Sequence, residues 1–69
     1  MKFSIGDILV HKTTERRHIK TNLWTIVEVL PKGYAILSAR NKIFYDLDYK
    51  TIDTCWRKIT QLEKILYDY

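Results

Sequence analysis

The sequence predicts a small, mostly-β domain: a barrel of five short strands followed by a C-terminal amphipathic α-helix. Three observations carry this prediction. Short runs rich in branched and aromatic residues recur between Gly, Pro and Asn turn signals. One run, 43–49, alternates apolar and polar residues with a period of two. The period becomes helical only in 59–69. At 69 residues the chain is expected to be a single domain spanning 1–69, with the barrel in 3–59 and the terminal helix in 60–69. That is close to the smallest size that folds without staples. Two Gly and one Pro in the whole chain argue against a disordered or low-complexity polypeptide.

The first strand is expected at Ile8-Leu9-Val10, introduced by the turn signal Gly6-Asp7. Residues 11–22, HKTTERRHIKTN, are polar with Ile19 as their sole apolar residue, and read as a long, mobile, basic loop. The run LWTIVEVL carries apolar residues on both phases of its alternation, which predicts a bent or bulged central strand. Pro31-Lys32-Gly33 then predicts a hairpin into YAILSAR. Arg40-Asn41-Lys42 supplies the next turn, with Asn41 the residue most tolerant of a left-handed backbone. In the alternating run, Ile43, Tyr45, Leu47 and Tyr49 share one face, and Phe44, Asp46 and Asp48 share the other. A short turn around 50–53 leads to the closing strand, expected over 54–58. In the terminal helix, Ile59, Leu62, Ile65, Leu66 and Tyr69 form one stripe, expected to dock on the barrel or on a partner, and Thr60 and Glu63 are spaced as a capping box.

Composition narrows the function classes. The net charge of +4 is uneven: residues 1–42 hold eight Lys and Arg against three acids, whereas 43–69 hold four against five. Such asymmetry favours an anionic partner. The lone Cys55 excludes an intrachain disulfide and reads as a buried thiol in a reduced compartment. His11, His18 and Cys55 lack the spacing of a zinc site, so no metal or cofactor is expected. Apolar runs are too short for a signal peptide or a membrane span, which reads as a cytoplasmic protein with no membrane partner, and the opening Met1 reads as a natural start.

The succession Phe3-x-x-Gly6-Asp7-Ile8-Leu9, Trp24-Thr25-Ile26-Val27-Glu28-Val29, Gly33-Tyr34-Ala35-Ile36-Leu37 and Ile52-Asp53-x-x-Trp56-Arg57-Lys58-Ile59 resembles small SH3-like barrels. It is similar in particular to short proteins of bacteriophages and bacteria with the F-x-x-G-D opening. The resemblance implies KOW- and Tudor-like relatives, which bind nucleic acid, ribosomal components or peptides, and an edge strand near 55–59. The chain lacks the glycine-rich loop of KOW segments, which turns the reading away from the ribosome and RNA polymerase.

Two kinds of site follow. Lys12, Arg16, Arg17 and Lys20, with Arg40 and Lys42 from the later turn, form the candidate nucleic-acid-binding set for DNA or RNA. Trp24, Tyr34 or Phe44, if exposed beside them, could stack on unpaired bases. Alternatively Trp24 and Phe44 bind a host or phage protein, Phe44 because its expected face is otherwise acidic. His11 and His18 on a basic loop are compatible with a small ribonuclease. A mobile loop on a tiny barrel encloses little, however, so no catalytic residue is assigned and a non-enzymatic binding role is expected.

Overall fold

A computed structural model describes residues 3–67. Its strands are β1 (Ile8–His11), β2 (Trp24–Leu30), β3 (Gly33–Ser38), β4 (Phe44–Asp48) and β5 (Trp56–Lys58). A 3-10 helix (Arg16–Thr21) precedes β2, α1 (Tyr49–Cys55) separates β4 from β5, and α2 (Gln61–Leu66) follows. All pairings are antiparallel, in one sheet of order β4-β3-β2-β1-β5, so β4 and β5 are its edges.

Local chemistry accounts for the turns. Gly6 adopts φ 93°, and the Ser4 amide donates to the Asp7 carboxylate at 2.8 Å, closing the turn that feeds β1. The β2–β3 hairpin needs only Pro31 and Lys32, since Leu30 already pairs with Gly33. The register slips between Ile26 and Glu28, leaving Val27 as the extra residue. That bulge explains why β2 is apolar on both phases: Trp24 and Ile26 before it, and Val29 after it, all reach the same core.

The main core lies on one face of the sheet and contains Phe3, Leu9, Ile26, Tyr34, Ile36, Ile52 and Trp56. A second cluster joins Val10, Ile19, Leu23 and Ile59, with Ile8 and Tyr67 beside them. Successive residues of β1 therefore serve different cores, Leu9 the first and Val10 the second.

Four expectations about the connections and the closing strand are corrected. Residues 11–22 are not an unstructured loop: they contain the 3-10 helix, held down by buried Ile19 and its neighbour Leu23. The turn expected at 50–53 is α1, whose N-terminus is capped by Asp48 accepting from the Thr51 amide at 3.1 Å. The closing strand shrinks accordingly to Trp56–Lys58. In the 39–42 turn it is Lys42, at φ 58°, that takes the left-handed conformation, while the Asn41 side chain accepts from the Ile43 amide.

The capping box of α2 forms as expected, with the Glu63 amide donating to Thr60 Oγ1 at 3.1 Å and the Thr60 amide donating to Glu63 Oε1 at 2.8 Å. Its apolar stripe does not dock on the sheet. Ile59 is buried, but Leu62, Ile65 and Leu66 are each more than 60% exposed, and Tyr69 lies outside the described residues. Arg57 ties α2 to β5, its two terminal guanidinium nitrogens donating to the Glu63 carboxylate at 2.8 and 2.9 Å, and Tyr67 at the helix end packs beside the second cluster.

Candidate functional site

The antiparallel register decides where the cations go. Leu9 pairs with Trp24, Trp24 with Ser38, Leu37 with Phe44, and His11 with Trp56. The end of β1, the start of β2, the end of β3 and the starts of β4 and β5 therefore share one end of the sheet. The connections 12–23 and 39–43 both emerge there. Lys12, Arg16, Arg17 and Lys20 lie in the first, Arg40 and Lys42 in the second, and all six side chains are exposed.

Backbone bonds lock these connections together. The Ala39 amide donates to the Leu23 carbonyl at 3.0 Å, and the Lys12 amide to the Cys55 carbonyl at 2.8 Å. The Asn22 side chain donates to the His18 carbonyl at 2.7 Å, closing the 3-10 helix. Of the six cations, Arg17 makes an ion pair, with exposed Glu15 at 3.0 Å. Acids at this end are few, Glu15 and Asp53, while Asp7, Glu28, Asp46, Asp48 and Glu63 lie toward the other.

Rings line the inner face at the same end. His11 meets Trp56 edge-on at 5.2 Å, Trp56 meets Trp24 edge-on at 5.6 Å, and Trp24 meets Tyr45 at 5.3 Å with a 45° tilt. Trp56 is buried, Trp24 half-buried and Tyr45 half-exposed, so Tyr45 is the ring of this row most open to a ligand.

The candidate rings thus separate. Tyr34 is fully buried, packed edge-on against Tyr49 at 5.1 Å, with its hydroxyl accepting from the Phe3 amide at 3.2 Å, and offers no stacking platform. Trp24 is wedged between Tyr45 and Trp56 and serves as core and rim together. Phe44 is 62% exposed, on the opposite face of β4 from Tyr45. Sequence reasoning missed Tyr45 because the alternation assigned it to the core; an edge strand leaves such a residue half outside.

The His11 Nδ1 lies 2.7 Å from Thr13 Oγ1, and His18 is exposed on the 3-10 helix. Among the described residues no cluster of three or more His, Cys, Asp or Glu could hold a metal, and no helix is long and apolar enough to cross a membrane. A shallow hollow of about 240 Å³, lined by Leu30, Lys32, Gly33, Asp46, Leu47 and Asp48, lies at the end away from the cations.

Compared with family models, curated proteins and solved structures, the chain matches none.

Proposed function

We propose that this protein is a non-enzymatic nucleic-acid-binding factor that engages DNA or RNA phosphates through the basic end of its sheet. The observation that carries the reading is the register, which draws two basic connections far apart in sequence to one end while most acids lie toward the other. Six exposed cations on a locked backbone suit phosphate contacts, which are set by position rather than by base identity. Half-exposed Tyr45, beside Trp24, adds a surface on which an unpaired base can stack. We further read the sheet as SH3-like, supported by the β2–β4 meander and by a short helix that returns the chain to pair β5 with β1. A phage-encoded or bacterial accessory factor acting in the cytoplasm is the setting this reading implies.

Binding of a host or phage protein is the second reading, favoured by the exposure of Phe44 beside Ile43 and Tyr45. The test is fluorescence anisotropy with a labelled single-stranded oligonucleotide. Reversing two charges at the basic end, Arg16→Glu with Arg40→Glu, is expected to weaken binding tenfold or more. The same change in net charge at the other end, Lys32→Glu with Lys50→Glu, is expected to leave it within about twofold. Equal losses in the two variants would refute a localised site, and no binding by the unaltered protein would leave the protein-partner reading in its place.

A further inference from the structure

We infer that the face of the sheet opposite the main core is a stacking platform for single-stranded nucleic acid, with an unpaired base lying on Phe44. The inference rests on the nucleic-acid reading above and assigns that site its substrate class. Register builds the platform. Ile8 pairs with Thr25, Thr25 with Leu37 and Leu37 with Phe44, so the four side chains stand in one line across β1, β2, β3 and β4. Their neighbours Leu9, Ile26 and Ile36 fill the main core, and alternation turns the line to the other face. Ile8 packs beside the second cluster, Thr25 and Leu37 are half-buried, and Phe44 is 62% exposed, the most open of the described Phe, Tyr and Trp side chains. The line opens toward β4 and ends in a ring.

Charge selects the occupant, because the two flanks of this line differ in sign. The 3-10 helix lies on the same face, since its buried Ile19 joins Val10 of β1 and Leu23 at the entry to β2. It brings exposed Arg16 and Lys20 to the flank nearer the basic end. Arg40 and Lys42 reach that flank from the turn that leads directly into Phe44. On the other flank Glu28 pairs with Ala35 and Ala35 with Asp46, which sets two exposed carboxylates in the next row of the same face. A polyanion is drawn to the first flank and repelled from the second. Its phosphates therefore follow the 3-10 helix and the 39–42 turn, and its bases turn inward over Leu37 and Phe44.

The dimensions agree with a base as occupant. Neighbouring rows on one face of a sheet are about 7 Å apart, two residues along the strand. The apolar line is one residue wide before the acids begin, the width of a flat ring and far short of the roughly 800 Å² that each partner contributes to a stable protein interface. A duplex cannot use the ring, because its bases are already stacked within the helix, and it is left with the phosphate contacts alone. Tyr45 stays at the sheet edge on the other face, beside Trp24. It is Phe44 that shares a face with the 3-10 helix and its cations.

The test measures the affinity of the full chain for labelled single-stranded DNA and RNA oligonucleotides, and for each annealed to its complement. Phe44→Leu keeps an apolar side chain but removes the ring. It is expected to weaken single-strand binding at least about fivefold, the lower end of what one stacked base contributes. The dependence of that binding on salt should not change, because no cation is lost. Duplex affinity should stay within about twofold, which also shows that the variant is folded. Phe44→Tyr, which retains a ring, should bind the single strand within about twofold of the unaltered protein. Arg16→Glu with Arg40→Glu should weaken single strand and duplex alike. If that charge variant loses binding while Phe44→Leu does not, the basic end stands as the site and the stacking inference is overturned. Equal losses of single strand and duplex in Phe44→Leu, or equal losses in Phe44→Leu and Phe44→Tyr, would overturn it too. An unaltered protein that binds neither form would overturn both this inference and the reading beneath it.

Discussion

Gly33 is required by the strand beside it. A Cβ at this position would collide with the Leu47 carbonyl oxygen, so β4 can pair with β3 only over a residue without a side chain. Gly33→Ala is therefore expected to cost at least about 2 kcal/mol, the scale of overpacking, in urea unfolding at neutral pH; an unchanged midpoint would show that the strands can separate freely. The sequence marked Gly33 as punctuation but not for this reason, because the obstacle belongs to a strand fourteen positions further on. Lys42 illustrates the same limit. Composition favoured Asn41 for the left-handed position, yet Asn41 is used as a side-chain acceptor and the next residue takes the strained backbone.

Among the elements, the 3-10 helix and α1 were illegible for a shared physical cause. Each buries a single residue, Ile19 in one and Ile52 in the other, so neither shows the apolar repeat that announces a helix. Ile19→Ala should lower stability by about 2–5 kcal/mol, as truncation in a packed core does, measured by chemical denaturation; a freely mobile segment would show no change. The capping box of α2 was legible because it depends only on residues three apart. Its docking was not legible, since periodicity identifies an apolar stripe without saying whether anything covers it. The Arg57 side-chain hydrogen bonds hold the Glu63 carboxyl down at about 2, against an ordinary 4.5. A depressed carboxyl contributes fully above its unfolded value and loses that contribution as pH falls from about 4.5 toward 2. Glu63→Gln should accordingly cost about 1 kcal/mol at pH 7, a value held low because the pair lies near solvent, and the difference from the unaltered protein should vanish near pH 2. A difference that persists there would assign the effect to helix capping instead of the ion pair.

For the whole molecule, the alternating run, the Gly6 turn, the β2–β3 hairpin and the bulge were all readable, because each is written in adjacent residues. The composition of the candidate site was readable too, but not its assembly. Arg40 and Lys42 join Lys12, Arg16, Arg17 and Lys20 only through strand register, a non-local property that spacing along the chain does not encode. The same folding moves Tyr34 out of consideration and brings Tyr45 in.

Everything proposed for function rests on these outward cations acting jointly against one polyanion. The most direct measurement is the dependence of oligonucleotide affinity on salt between about 50 and 200 mM. Counterion release from about five phosphates of a single strand predicts a log–log slope between about −3 and −4, falling by about 0.7 for each of Arg16→Ala and Arg40→Ala. A slope near zero, or one that neither substitution moves, would contradict the account.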